Sequence, residues 1–208
     1  MPTLNWEYGV AQNVTYHYIA GLDEAGRGAL AGPVVAAAVI LPLDNPDLEL
    51  ILWGVDDSKR VTAVHREELF DVVRQTAVSY GIAAVEAAVI DASGIIPATK
   101  QAMRGALAQL DPAPDYLLID GRIRLPTIPI PQRSIIRGDG ASLSIAAASI
   151  LAKVSRDRLM VVLDRQFPHY GFAQHKGYGT AQHRQALTDW GPCPEHRRTF
   201  APVRTSLL

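Results

Sequence analysis

The chain has 208 residues, 48% of them apolar, enough to bury one sizeable core and close to the size of a single domain. A formal net charge of -1 and a pI near 6.6 exclude a generically basic nucleic-acid coat, so any polyanion must meet a local basic surface. The lone Cys193 excludes a disulfide framework and a cysteine-built zinc site, and the opening MPTLNWEYGV lacks the basic start and apolar run of an export signal. A soluble cytoplasmic protein with no membrane partner is the expectation. The charge is unevenly spread: Arg165 to Leu208 holds six Lys/Arg against two Asp/Glu, whereas residues 1–164 hold 14 against 19. An acidic body with a basic C-terminal arm suits a carboxylate metal site beside a phosphate-binding surface.

In chain order, residues 1–15 are polar and unpatterned and read as a loose leader to a single domain over 16–208. Tyr16 to Glu24 predicts a strand, and after a glycine-rich turn the apolar run Pro33 to Leu41 predicts a buried one. Ala63 to Val78 has helical spacing through Leu69, Val72, Val73 and Ala77, and a third strand follows over Tyr80 to Val89. Ala98 to Leu110 predicts a helix closed by Asp111, Pro112 and Pro114. Asp115 to Asp120 is a short buried strand stopped by Gly121, and Ile128 to Ile136 a proline-broken strand region. Ser142 to about Phe167 predicts a long helix whose alanines allow close packing on a sheet, and Thr180 to Trp190 a last short one within an extension over about 168–208. The pattern predicts an α/β sandwich with a mixed sheet flanked by helices.

Hydrolysis of a phosphodiester by two metal ions needs carboxylates converging on one point, because hard divalent cations take oxygen ligands. Asp23 and Glu24 end one strand and Asp120 ends another, where side chains face the crevice of an open α/β sheet. Asp139, between Gly138 and Gly140, can be aimed at the same crevice; helix capping for Asp139 and turn formation for Asp120 are the simpler alternatives. Successive strand residues point to opposite faces, so Asp23 and Glu24 share a site only if the strand ends there, which the turn Ala25-Gly26-Arg27-Gly28 would provide. The same glycines let a backbone approach a sugar or phosphate. A dinucleotide-binding reading of Gly26, Gly28 and Gly32 fails, because the next segment is strand-like and opens with Pro33, and two carboxylates lie just upstream.

Gly21-Leu22-Asp23-Glu24-Ala25-Gly26-Arg27-Gly28 with Gly32-Pro33 resembles the opening motif of the type 2 ribonuclease H family. Similar to family motifs, in order, are Asp57-Ser58-Lys59, Ile119-Asp120-Gly121, Ser144 to Lys153 with Arg156-Asp157-Arg158, His175 to Thr180, and His196 to Val203. The resemblance implies a ribonuclease H-like fold and an endonuclease acting on the RNA strand of RNA/DNA hybrids and on DNA duplexes with embedded ribonucleotides. Cutting would fall 5′ of the ribonucleotide, leave 5′-phosphate and 3′-hydroxyl ends, and serve ribonucleotide removal from DNA. It further implies Mg2+ or Mn2+ as cofactor, held by Asp23, Glu24, Asp120 and Asp139. Gly26, Arg27 and Gly28 would recognise the ribonucleotide 2′-OH, the handle that distinguishes RNA from DNA, and the Tyr178 ring would pack on the adjoining deoxyribose. Packing of Tyr178 on His175 or Lys176 is the plain alternative.

Ser58, Lys59, Ser142, Lys176 and Arg197, with Arg198, are the other expected substrate contacts. Where the family reads Gly-Asp-Ala-Lys-Ser, this chain has Gly138-Asp139-Gly140-Ala141-Ser142, so Ala141 stands where a lysine is expected. Asp157 is expected to pair with the flanking arginines rather than with a metal. Histidines 169, 175, 183 and 196 are expected in phosphate contact or solvent. Only about 15 residues precede Tyr16, which favours type 2 over type 3 relatives with their extra N-terminal domain. No C-terminal sliding-clamp motif is present, and a monomer is expected. A catalytically silent hybrid-binding module would require a broken carboxylate set, and a DNA-cutting nuclease of similar architecture would have no use for Gly26-Arg27-Gly28 and Tyr178.

Overall fold

Every residue of the strand β2 (Val34–Ile40) is buried, which a strand achieves only with cover on both faces. The computed structural model, which describes residues 1–12 and 16–205, supplies that cover. In chain order the elements are α1 (Asn5–Ala11), β1 (Ile19–Ala25), β2, α2 (Leu48–Ile51), α3 (Ala63–Thr76), β3 (Ser79–Val85), α4 (Ala87–Ser93), α5 (Ile95–Leu107), β4 (Tyr116–Asp120), β5 (Gln132–Ile135), a 3-10 turn at Gly138–Gly140, α6 (Leu143–Gln166), α7 (Phe172–His175), α8 (Ala181–Trp190) and α9 (Ala201–Thr205). The sheet order is β3-β2-β1-β4-β5. β1 runs antiparallel to β2 and parallel to β4, and β5 is parallel to β4, so the sheet is mixed.

One face, through Ala37 and Val39, packs on Ala146, Ala147, Ile150 and Leu151 of α6 and on α3. The other, through Ala36, Ala38 and Ile40, packs on Ala98, Ala102, Met103 and Ala106 of α5. The alanines of α6 let it lie close, and at Gly21 the approach is closest: a Cβ there would stand 2.2 Å from the Ser144 main chain. β1 is thereby pinned at the centre of the molecule with its carboxyl end open.

All five strands are shorter than predicted, β3 and β5 the most. β3 stops at Val85, opposite Val34 where β2 begins; with no partner strand beyond, the next apolar residues turn into α4. Around β5, Pro129 and Pro131 have no N–H to give a ladder, and pairing begins at Gln132. The expected loose leader is a larger departure. In residues 1–12, Leu4 and Glu7 are buried, Thr3 bridges to Ser142, and Glu7 Oε1 accepts from Ser142 Oγ (2.6 Å), Ser144 Oγ (2.6 Å) and Ser144 N (3.0 Å). A carboxylate at the N-terminus of a 24-residue helix is favoured by the unpaired N–H groups there. Residues 13–15 of that expected leader lie outside the described residues. The C-terminal extension packs Tyr170, Phe172, Ala186 and Cys193 on Met160 of α6 and on Ala31. Among the described residues no helix is long and apolar enough to cross a membrane.

Glu7→Ala removes the acceptor of three buried donors and should cost about 1–3 kcal/mol, lowering Tm by several degrees. Thermal unfolding of the variant checks this; an unchanged Tm would mean that α1 does not hold the start of α6.

Candidate active site

β1 and β4 are parallel and paired from Ile19↔Tyr116 to Leu22↔Ile119. β4 ends one residue later at Asp120 while β1 continues through Glu24 and Ala25, paired to β2 alone. The strand therefore does not end at Glu24 as expected. The space beside it, vacated where β4 stops, is what admits both neighbours. Asp23, Glu24 and Asp120 line a single cavity of about 490 Å3 together with Ala25, Gly26, Arg27, Gly28, Ser58, Lys59, Lys153 and Tyr178. A cleft of about 540 Å3 elsewhere is lined by Asn5, Trp6, Gly9, Val10, Tyr16, Tyr116 and Arg133 and holds no carboxylate, so chemistry and not size marks the site.

Each acid is held by its own partner. Asp23, only 5% exposed, accepts from the Glu24 N–H at 2.7 Å. Glu24 Oε1 accepts from Arg27 at 2.9 Å, and its buried Oε2 has no hydrogen-bond partner among the described residues. Asp120 Oδ1 accepts from the Gly138 N–H at 2.7 Å, which ties the end of β4 to the turn carrying Asp139. Asp139 is buried, with Lys59 Nζ at 3.8 Å from its Oδ2. Neither simpler alternative describes the acids fully: the cap of α6 is Ser142, which accepts from Ile145 N, and Asp120 holds a neighbouring loop.

Burial pushes the Asp23 carboxyl well above its usual range, and the charges of Glu24, Asp120 and Asp139 push it further. Burial also raises Glu24, with Arg27 opposing. Asp139 is raised by burial and by repulsion from Asp120 and Asp57. For Lys59 burial acts downward, but Asp57, Asp139, Asp23 and Asp120 together hold it above its ordinary value. The crevice thus carries excess negative charge on hard oxygen donors, the donor chemistry that Mg2+ and Mn2+ take. Among the described residues no group of three acidic, histidine or cysteine side chains is already arranged as a metal cage. Two ion pairs engage the acids instead: Glu24 is turned to Arg27 and Asp139 faces Lys59. The donor set fits a divalent cation, and taking one would require those two ion pairs to open.

Of the other expected contacts, Gly26, Arg27, Gly28, Ser58, Lys59 and Tyr178 are brought into this cavity. Gly26 is needed for the fold, since its φ is +92° and a Cβ would stand 1.9 Å from Arg156 Nε. Gly28 is exposed, and a Cβ there would meet nothing within 4 Å. Tyr178 lines the cavity and is 36% exposed; its ring centroid lies 5.3 Å from Arg156 Cζ and 5.8 Å from Lys153 Nζ, so two cations pack on it. Lys153, the last residue of the Ser144–Lys153 motif, also lines the cavity, a place that the motif alone does not specify.

Four expected contacts are not at the cavity: Ser142, Arg197, Lys176 and Arg198, whose main-chain N–H donates to Asp91 Oδ2 at 2.8 Å. Ser142 is fully buried against Glu7, and Arg197 is fully buried, donating to the main-chain oxygens of Gly32 and Arg27. Lys176 bonds its ammonium to the Ala173 carbonyl and lines a different surface hollow. Ala141 does not line the cavity either. Asp157 forms an ion pair, but with Lys153 at 2.6 Å, because Arg156 turns inward and Arg158 reaches Glu67. His175, His183 and His196 are buried in the C-terminal extension, not solvated, and His169 stacks on Trp190 at 4.4 Å.

Taken together, a mixed sheet covered by helices and an acid-lined crevice at the carboxyl ends of its parallel strands are those of a ribonuclease H-like nuclease. A family model described as Ribonuclease HII matches residues 20–204. The Ribonuclease HII of Chloroflexus aurantiacus is 54% identical over 100% of this chain and 97% of its own. Ribonuclease H2 from Pyrococcus horikoshii OT3 superimposes with a TM-score of 0.77 at 25% identity, over 91% of this chain and 96% of that one. Bst-RNase HIII in complex with Mn2+ shares the fold at 20% identity, with a TM-score of 0.72 over 95% of this chain and 71% of that one. The chain belongs to the ribonuclease HII family: it is a ribonuclease H, an endonuclease that cleaves the RNA strand of RNA/DNA hybrids.

Asp23→Asn keeps the acceptor for the Glu24 N–H and removes the charge that burial and three neighbours oppose. In EDTA at pH 7 the variant should unfold at a higher temperature than the wild type while losing activity; a lower Tm would contradict the repulsion.

His183 and His196 are both lowered to about 4, chiefly by burial. Their folded values lie below the ordinary 6.5, so the unfolded chain takes up protons first as pH falls. Stability is full above about pH 6.5 and declines toward pH 4. Urea unfolding at pH 7 and pH 5 measures the decline, which should be shallower in His183→Asn; equal slopes would refute it.

Proposed function

We propose that the acidic crevice binds Mg2+ or Mn2+ through Asp23, Glu24, Asp120 and Asp139, and that the enzyme cuts 5′ of ribonucleotides embedded in duplex DNA as well as in hybrids. The observation that carries this reading is the convergence of Asp23, Glu24 and Asp120, with unbalanced charge, on a cavity that also holds Gly26-Arg27-Gly28 and Tyr178. Bst-RNase HIII, which shares the fold, has been solved with Mn2+. Two such ions, when bound, supply Lewis acidity at the scissile phosphate and a water of lowered pKa for in-line attack.

The chain's own residues bind and orient the substrate. Lys59, 77% exposed at its side chain, and Lys153 border the acids and can meet phosphates on either side of the cut. Gly28 leaves its main chain bare toward the cavity with nothing in the fold requiring a glycine. That is consistent with close approach of a ribose, whose 2′-OH can bond main-chain groups of Gly26, Arg27 and Gly28. The Tyr178 ring, partly exposed in the cavity, packs on the sugar of the next nucleotide, where a deoxyribose fits and a 2′-OH would be desolvated. Products carry 5′-phosphate and 3′-hydroxyl ends, and the cellular role is removal of ribonucleotides from DNA. The protein acts as a cytoplasmic monomer.

Asp120→Asn should abolish cutting while leaving fold and duplex binding, and Asp157→Asn should stay active; near wild-type cutting by the Asp120 variant with Mg2+ would dismiss the acid set. The assay uses three matched duplexes, all DNA, RNA/DNA, and DNA with one ribonucleotide, with and without EDTA. On the third, Tyr178→Phe should keep selective cutting and Tyr178→Ala should lose about 1–3 kcal/mol of it, the worth of an aromatic face against a nucleotide. Equal cutting by the Ala variant and wild type would remove Tyr178 from the site.

A further inference from the structure

Behind Tyr178 the buried histidines form one directed chain. The Cys193 N–H donates to His196 Nδ1 at 3.0 Å, so that nitrogen carries no proton and the neutral ring carries its proton on Nε2. His196 Nε2 lies 3.0 Å from His183 Nε2, and His183 Nδ1 lies 3.0 Å from the Tyr178 carbonyl oxygen. A carbonyl only accepts, so His183 bears its proton on Nδ1 and accepts from His196 at Nε2. Every link then has one donor and one acceptor, with both rings neutral. A further proton at either ring would set two N–H groups face to face.

The chain ends on a stretch of strained main chain. Lys176 has φ +53° and Gly177 φ +77°, and a non-glycine residue in that region needs outside support. Each nearby polar group has a partner: Lys176 O accepts from Arg156, Gly177 N donates to His175 Nδ1, Gly177 O accepts from Leu30 N, and Tyr178 N donates to His175 O. Tyr178 O accepts from Thr180 N at 2.8 Å and from His183 Nδ1 behind it, while its ring lines the cavity.

We infer that His183 and His196 are positioning residues that fix the Tyr178 main chain and so set the preference for an embedded ribonucleotide over an all-RNA strand. This rests on the role proposed above for Tyr178. His183 lines neither the acids nor the cavity; it reaches the site through the Tyr178 carbonyl and through His175, on which it stacks at 4.4 Å.

The test is the ratio of single-turnover rates on the one-ribonucleotide duplex and on the RNA/DNA hybrid, measured for wild type, His183→Ala, His183→Asn, Tyr178→Ala and the His183→Ala/Tyr178→Ala double variant. The ratio should fall on the order of tenfold in His183→Ala, the factor typical of a lost buried hydrogen bond. His183→Asn should recover most of it, because its amide N–H can stand where Nδ1–H stood. The double variant should be no worse than Tyr178→Ala, since both changes act through one ring. An unchanged ratio in Tyr178→Ala would reject the role of Tyr178 and this inference with it. A lowered ratio there with an unchanged ratio in His183→Ala would reject the histidine relay alone. Equal slowing on both substrates without rescue by Asn would mean general destabilisation and also overturn the inference. Should His183→Ala fail to fold, His196→Ala breaks the chain one link further back, and an unchanged ratio there is equally decisive.

Discussion

Asp23 stands 5% exposed in the middle of the molecule with Glu24, Asp120 and Asp139 around it, and their repulsion would drive apart any scaffold free to yield. The scaffold has little freedom. β1 is paired on both sides, and at Gly21 its main chain touches that of Ser144 too closely for a side chain. Asp120 sits at the end of β4 and grips Gly138, so the turn bearing Asp139 is fastened to the same strand. The repulsion that burdens the fold is also what makes the crevice receptive to cations, so stability and function draw on it in opposite directions. Arg27 and Lys59 hold the charge in check in the meantime, each within reach of an acid.

The proposed sugar site is held by a second, unrelated device. Arg156 and Arg197 are fully buried and give their guanidinium N–H groups to main-chain oxygens: Pro33, Ala31 and Lys176 for the first, Gly32 and Arg27 for the second. Burial lowers both, Arg197 to about 9 with Arg156 adding repulsion. Guanidinium groups suit this use because their fork holds several acceptors in fixed geometry. Together they bind the turn after β1 to the Lys176–Tyr178 segment, so the two parts of the proposed sugar site move as one.

The acids were legible because a carboxylate at the end of an apolar strand is conspicuous and strand ends face a crevice. The two central strands, the long alanine-rich helix and the mixed sheet were legible for the same reason: local pattern and cover agree. What could not be read is direction of burial. Arg197 and Ser142 lie in motifs that resemble substrate contacts, yet both point inward, and no local pattern distinguishes an inward from an outward polar residue. The histidines fail in the same way, since their partners Tyr178 and Cys193 are fixed only by the packing of α7 and α8. The role of Glu7 was out of reach altogether, because Ser142 and Ser144 lie 135 and 137 residues away.

These long-range contacts divide the site into parts with different dependencies. Asp23 and Asp120 are placed by the sheet itself, through strand register. Asp139 is placed by a turn whose far side is braced by Thr3 and Glu7 at the start of the chain. Tyr178 is placed by residues from α6, α7, α8 and the His196 segment near the end of the chain. Disturbance at the amino end therefore reaches Asp139 first, and disturbance at the carboxyl end reaches Tyr178 first. Asp23 and Asp120 owe their register to the sheet between them, so on the proposed roles the acids and the sugar contact rest on different parts of the chain.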